Sequence, residues 1–424
     1  LLLIRKGNIM TLSEEIQWRG FLNQTTFDDI KKLDTEKRTF YMGFDASADS
    51  QAVGNLAAMM FIWTFIRHGY DPIILTGGST SLVGDPGGKN EERQLQSEET
   101  IAHNTECARK QLEKIFAGQK FRMVNNLDWT RDVKLLDFLR DTGKNFSITN
   151  MLQRDFVAER IGEGGSGLSF AEFSYTLLQG FDYQHLFDTY DCTLQLGGSD
   201  QWGNCLSGVE LIRKTRGKEV NVVTLNLIID KTTGRKFGKS EGGTIWLDEN
   251  KTSPFKFYQF WLNAGDDDAI DYLKTFTLLT KDEIETLAEE IKTNASSRPA
   301  QKRLACEVTK IVHGEERAMS VRRISEALFG ATGYDELSKD DFRELESELV
   351  TKSVSIGSEL IDFLVQTELA SSRGDARRFL ESSAIHINGS QLPLGQGDFS
   401  EHDFKHGYAV VRRGKNTIAL AKLG

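Results

Sequence analysis

Up to about residue 250 the sequence alternates short β-rich runs with longer helical stretches, and few chain topologies accommodate that alternation. It is the pattern of a parallel sheet with helices on both faces. Thr39 to Phe44 reads as a strand, Gly54 to Arg67 as a helix, and Asp71-Pro72 as a turn into a strand from Ile73 to Thr76. Further strands are expected at Phe121 to Val124, Thr193 to Leu196 and Val220 to Ile229, with helices at Phe170 to Leu186 and Gln201 to Arg216. Ligands on such sheets bind beyond the carboxyl ends of strands, so the loops after residues 44, 76, 196 and 229 are candidate binding loops.

From Ser253 to about Leu337 apolar residues recur at three and four, as in Tyr272 to Leu279 and Ile284 to Ile291, which predicts a helical domain. Around residues 330–355 a mixed-charge stretch with Gly330 and Gly333 reads as a helix followed by a hinge. Past Gly357 comes a small module of two helices (Glu359 to Val365, Gly374 to Glu381) and short strands (Ile385 to Ile387, Tyr408 to Val411, Thr417 to Ala419). The expected domains are 1–252, 253–345 and 346–424. Residues 1–9 are placed outside the first, because a helix start at Thr11 to Glu15 follows Met10.

At 424 residues the chain is too long for one core. With 27% charged and 39% hydrophobic residues it has the composition of an ordinary globular protein, away from disordered and membrane chains. No apolar run is long enough to span a bilayer. The start Leu1-Leu2-Leu3-Ile4-Arg5-Lys6 lacks the basic-then-apolar order of a secretory signal, and Cys107, Cys192, Cys205 and Cys306 fit neither a zinc set nor a disulfide framework. A cytoplasmic protein without membrane attachment is expected. A net charge of −10 excludes a chain coated in nucleic acid but leaves local basic patches open.

Two glycine-rich stretches are misleading. Gly162 to Gly167 matches G-x-G-x-x-G in letters, yet a helical run from Asp155 to Ile161 precedes it where a dinucleotide fingerprint needs a strand. Gly84 to Lys89 approaches a phosphate loop, but Val83 and Asn90 stand where its first glycine and its Ser or Thr belong. The segment from Lys231 to Gly243 is more informative: Arg235, Lys236 and Lys239 surround Gly238, placing cations on a backbone loose enough to close over a polyphosphate.

Lys236-Phe237-Gly238-Lys239-Ser240 resembles the lysine loop of class I aminoacyl-tRNA synthetases, in the form typical of the tyrosine enzymes of bacteria. Other blocks agree in the same order: Tyr41-Met42-Gly43-Phe44-Asp45, Gly77-Gly78 with Gly84-Asp85-Pro86, Phe173-Ser174-Tyr175 with Gln179 and Asp182, and Gly198 to Asn204. The resemblance runs from about Gln17 to the C-terminus. It implies an α/β fold with a Rossmann-like parallel-sheet catalytic domain, then an all-α domain on the anticodon side, then a small α+β S-four-like RNA-binding domain.

The activity implied is activation of L-tyrosine with ATP to tyrosyl-adenylate and pyrophosphate, followed by transfer to tRNA(Tyr). Such chemistry needs positioned reactants and stabilised charge rather than a protein nucleophile. By resemblance, Lys236, Lys239, Lys89 and Arg93 act on the departing pyrophosphate. Tyr41 and Asp182 meet the phenol hydroxyl, Tyr175, Gln179 and Asp85 the α-amino group, and Asn126 a further tyrosine-side contact. Gly43, Asp45, Ser47, Gly54, Asn55, Asp200, Gln201 and Lys239 line the ATP and adenylate. Mg²⁺ accompanies ATP, with no dedicated metal site. Arg373, Arg377, Arg378, Arg412, Arg413 and Lys415 are the RNA-binding candidates, and a homodimer is expected.

The sequence departs from the family at Ala52-Val53-Gly54-Asn55, where the usual signature is His-Ile-Gly-His. Gly54 survives and Asn55 can replace an imidazole donor, but Ala52 donates nothing, so slow activation is expected. Two other readings compete. A tryptophan-branch enzyme shares the fold, though the Tyr41 and Asp182 pair suits a phenol better than an indole. A synthetase-derived RNA-binding protein with impaired catalysis is the other.

Overall fold

The computed structural model describes residues 10–85, 96–229, 237–240, 243–330, 333–414 and 417–424. The chain forms two compact units, one of residues up to Thr252 together with Ala264–Leu304, the other of Ser253–Asn263 together with Ala305–Gly424.

The first unit is built on a six-stranded sheet of β1 (Leu22–Thr25), β2 (Thr39–Asp45), β3 (Asp71–Gly77), β4 (Arg122–Asn125), β5 (Cys192–Gly198) and β6 (Asn221–Leu225). Their spatial order is β1-β6-β5-β2-β3-β4, and only β1 runs antiparallel to its neighbour. The chain leaves β2 through β3 and β4 on one side and returns to β5 and β6 on the other. That reversal opens a crevice beyond the carboxyl ends of β2 and β5.

The expected parallel-sheet α/β architecture is therefore present, with two local differences. Strand β1 was not anticipated because Leu-Asn-Gln-Thr has no apolar alternation; pairing with β6 makes it an edge strand. The strand expected to reach Ile229 ends at Leu225. Asn226 stops it by giving its backbone N–H to the Phe21 carbonyl at 2.9 Å and its side-chain N–H to that of Gly20 at 3.0 Å.

The helices that flank this sheet are α1 (Leu12–Trp18), α2 (Leu56–Arg67), α3 (Glu98–Ile115), α4 (Phe170–Tyr190), α5 (Trp202–Arg216) and α6 (Asp266–Phe276). Helix α2 buries Leu56, Met59, Met60, Phe61, Ile62 and Phe65, too wide an apolar surface for a solvent-facing helix. Helix α4 begins at a reciprocal cap between Ser169 and Glu172, and the buried Glu172 also binds Arg160 at 2.6 Å. From the end of α1, Arg19 binds Glu15 at 2.7 Å and donates to the carbonyls of Lys274, Thr277 and Leu279 at 2.6–2.9 Å. Both charged groups are almost fully buried, so full pairing is what makes their desolvation tolerable.

The second unit contains the helix Pro254–Leu262, α7 (Glu315–Phe329), α8 (Lys339–Glu348), α9 (Leu360–Gln366) and α10 (Arg373–Glu381). Its sheet joins β7 (Val350–Val354), β8 (Ile385–Ile387), β9 (Ser390–Gln391), β10 (Tyr408–Arg413) and β11 (Thr417–Leu423) in the order β9-β8-β10-β11-β7. Leu360, Phe363, Leu364, Ala376, Ile385, Phe399 and Val411 form its core. Strand β7 lies where a hinge was expected. It pairs on one side only, with β11, and its exposed Val350, Lys352 and Ser353 hide any strand alternation. No helix among the described residues is long and apolar enough to cross a membrane.

Candidate active site

Tyr41, Gly43 and Asp45 alternate along β2 and therefore line one face, running from a buried floor to an open edge: Tyr41 is buried, Asp45 half-buried and Gly43 exposed. Helix α4 presents Tyr175, Gln179 and Asp182, spaced four and three residues apart and so on one side of the helix. Between these faces lies a polar site in an otherwise apolar surround that includes Tyr183, Leu75, Ile73 and Cys205.

At its deep end the Tyr41 hydroxyl is buried with no hydrogen-bond partner among the described residues. Burial keeps that hydroxyl protonated well beyond the ordinary phenol range. Asp182 is also buried; its two oxygens accept from Asn126 Nδ2 at 2.9 Å and Trp129 Nε1 at 2.8 Å. Burial pushes its carboxyl up to about 7, against the pull of those two donors. Asn126 spends its other N–H on Thr80 Oγ1 at 3.1 Å, and its oxygen accepts the Ser79 backbone N–H at 2.8 Å. The deep end thus sets an orphaned buried hydroxyl near a carboxyl that burial keeps partly neutral.

Nearer the open edge, the Tyr175 hydroxyl donates to Asp45 Oδ2 at 3.1 Å and Thr80 Oγ1 donates to Asp45 Oδ1 at 2.9 Å. Gly77 makes this possible, since a Cβ there would stand 2.3 Å from both Asp45 Oδ1 and Thr80 Oγ1. Gln201 Nε2 donates to Asp85 Oδ2 at 2.5 Å, and Gln201 Oε1 accepts from Asn204 Nδ2 at 3.1 Å. Gln179 Nε2 lies 3.8 Å from the Cys205 sulfur. Burial, followed by the charges of Asp45 and Asp85, raises the Tyr175 hydroxyl far above its usual range. This acidic rim suits an ammonium group. Asp200 and Ser47 are exposed at the strand ends. A cavity of about 640 Å³ beside Asp200 is lined by Trp202, Asn204, Arg154 and Lys214 among others.

At the start of α2, Val53–Asn55 form a 3-10 turn with Ala52 extended before it and no side-chain cap, and the Asn55 N–H is taken by the Ala52 carbonyl at 2.9 Å. The lysine-rich segment is stitched to this turn. The Val53 N–H donates to Ile245 O at 2.8 Å, and Ile245 N–H donates to Gly238 O at 3.2 Å. Gly238 adopts φ +107°, and a Cβ there would lie 3.2 Å from Gly54 N. Phe237 anchors the segment, its ring 4.9 Å from that of Tyr272 and 5.1 Å from that of Phe276 on α6. Lys89, Arg93 and Lys236, and the side chain of Lys239, lie outside the described residues.

In the small C-terminal module Arg377 is exposed. Arg373 binds Glu359 at 2.7 Å and also Asp362, and Arg378 binds Asp375 at 2.7 Å. Arg413 lies over the Phe379 ring at 4.9 Å. Arg412 pairs with His386 across β8 and β10 and keeps a buried Nε without a partner among the described residues. Solvent-exposed pairs of this kind are weak, so these guanidinium groups can be exchanged onto phosphates. Lys415 lies outside the described residues.

Sequence reasoning did not single out Thr80, Trp129 as an Asp182 donor, or Gln195. Gln195 is buried beside Tyr41 in the β2–β5 register, with an Oε1 that has no partner among the described residues. A polar residue inside the apolar run of β5 was the available signal. Nothing local marked Thr80, whose two bonds come from distant elements.

Comparison with known proteins agrees with this geometry. The profile described as tRNA synthetases class I (W and Y) matches residues 33–330, and that of the Tyrosine--tRNA ligase SYY-like C-terminal domain matches residues 341–421. The sequence is 42% identical over 423 residues to Tyrosine--tRNA ligase 2 of Bacillus cereus (strain ATCC 10987 / NRS 248), covering 98% of this chain and 100% of the relative. It is 44% identical over 425 residues to Tyrosine--tRNA ligase of Geobacillus kaustophilus, covering 97% and 100%. A crystal structure of a C-terminally truncated Aspergillus nidulans mitochondrial tyrosyl-tRNA synthetase superposes with a TM-score of 0.69 at 31% identity, over 77% of this chain and 96% of that one. Matched almost end to end by sequences of this kind, the chain belongs to the tyrosyl-tRNA synthetase family of class I.

Proposed function

We propose that this chain joins L-tyrosine to ATP as tyrosyl-adenylate, releases pyrophosphate, and transfers tyrosine to the 3′ end of tRNA(Tyr). The observation that carries this reading is the buried, unpartnered Tyr41 hydroxyl near an Asp182 carboxyl whose ionisation is suppressed. A phenol supplies both a donor and an acceptor to such a pair; phenylalanine supplies neither and leaves buried groups unsatisfied. Tyr175, Gln179 and Asp85 take the α-amino end, and Asp45, Asp200 and Gln201 face the adenylate. The start of α2 receives the nucleotide through Gly54 and Asn55. Lys236 and Lys239, with Lys89 and Arg93, neutralise the departing pyrophosphate, and Mg²⁺ arrives on the phosphates of ATP.

The C-terminal arginines Arg373, Arg377, Arg378, Arg412 and Arg413, with Lys415, grip tRNA phosphates. On this reading the functional division is 1–252, 253–345 and 346–424, which cuts across the packing units. The protein acts in the cytoplasm, where its free cysteines stay reduced. It acts as a homodimer; the exposed Leu135, Leu136, Ile148, Ile161 and Phe170 of the first unit support an apolar contact with a second copy.

The deciding experiment is amino-acid-dependent exchange of labelled pyrophosphate into ATP. Exchange with tyrosine and none with phenylalanine is expected. Exchange with tryptophan alone would assign the other branch, and absent exchange with intact tRNA binding would favour an RNA-binding descendant.

A further inference from the structure

Gln51 is a polar side chain buried to 3% exposure immediately before the turn that starts α2. Its side-chain carbonyl accepts an N–H from the Nδ2 of Asn55, which is exposed. Its backbone is fixed on two sides. The N–H donates to Gln111 Oε1 of α3 at 2.8 Å, and the carbonyl accepts from the Leu247 N–H at 2.9 Å. Gln111 in turn donates to Ser50 Oγ at 2.9 Å.

Burying a primary amide is unfavourable unless it is bonded, and an apolar side chain would occupy position 51 without that cost. Asn55, being exposed, would find water for the same N–H, so the bond gives the fold little. Its effect falls on Asn55, whose side chain is held in one orientation with its second N–H and its oxygen left for a ligand. Ala52, which precedes this turn, offers no donor.

We propose that Gln51 is a positioning residue for the nucleotide, fixing Asn55 before ATP binds. The inference rests on the reading of Asn55 as a nucleotide-facing group. Ordering a free side chain on binding weakens affinity by about two- to tenfold, and a side chain already fixed escapes that loss.

The test is pyrophosphate-exchange kinetics on the full chain with Gln51→Leu, Gln51→Met, Asn55→Ala and the Gln51→Leu/Asn55→Ala pair. Both Gln51 variants should lower kcat/KM for ATP by about two- to tenfold and leave the KM for tyrosine unchanged. In the Asn55→Ala background the Gln51→Leu loss should disappear. A Gln51→Leu loss that persists undiminished without the Asn55 side chain, or that appears equally in the KM for tyrosine, would show a packing role and overturn the proposal. If Asn55→Ala alone leaves ATP kinetics unchanged, the nucleotide reading of Asn55 is what fails, and Gln51 loses its role with it.

Discussion

Asn126 donates to Asp182 Oδ2 across 2.9 Å in a place where neither side chain reaches solvent. The bond favours the ionised carboxylate, while burial opposes it and sets the balance at about 7. Tyrosine should therefore bind more tightly as pH rises from about 6 to 8, because an ionised carboxylate is the stronger acceptor for a phenol. Asn126→Ala should move this inflection to higher pH, and Asp182→Asn should flatten it. The KM for tyrosine in pyrophosphate exchange across that range is the measurement.

The same group makes folding depend on pH. Its folded pKa is raised above the ordinary value of 3.8, so between about 4 and 7 the folded chain holds a proton that the unfolded chain releases. Its contribution is fully present below about 4 and is lost as pH rises through about 7. Urea unfolding of the protein and of Asp182→Asn at pH 5 and 8 should show a smaller drop in stability for the variant.

Removing the orphaned hydroxyl should separate stability from binding. Tyr41→Phe deletes a buried, unbonded group, so the melting temperature should stay level or rise. The KM for tyrosine should increase about three- to tenfold, and discrimination against phenylalanine should fall.

Position 52 lies beside the lysine-rich segment through its bridge to Trp246. A hydrogen bond from a neutral donor to a charged group contributes about 1.5–3 kcal/mol. Ala52→His should therefore speed adenylate formation about tenfold or more in single-turnover measurements, with tyrosine affinity unchanged.

Gly238→Ala should have the opposite effect. The substitution strains a left-handed backbone and presses a methyl group towards Gly54. Pyrophosphate exchange should fall by more than about tenfold, while tyrosine binding measured by calorimetry stays intact.

The parallel sheet was readable in the sequence because β2, β3 and β5 are near-continuous apolar runs, β3 and β5 ending in glycine, and a doubly covered strand must look like that. The site residues were readable only as blocks. Tyr175, Gln179 and Asp182 sit in one helix, but their junction with Tyr41 is made by tertiary packing that no local pattern encodes. Edge strands β1 and β7 were missed for a related reason, since each pairs on one side and needs no apolar alternation. Thr80 was invisible because its value comes from Asp45 and Asn126, 35 and 46 residues away.

The three carbonyls that satisfy Arg19 lie at residues 274–279, far beyond the strand and helix segments they complete. As the polypeptide leaves the ribosome, a nascent fragment halted at residue 252 already contains all six strands of the large sheet, yet its Arg19 guanidinium has only Glu15 as a partner and lacks the three carbonyls. The buried guanidinium is fully satisfied only after residues 274–279 have emerged. A chain paused just after the lysine-rich segment would therefore hold that charge buried with fewer partners than the finished fold gives it.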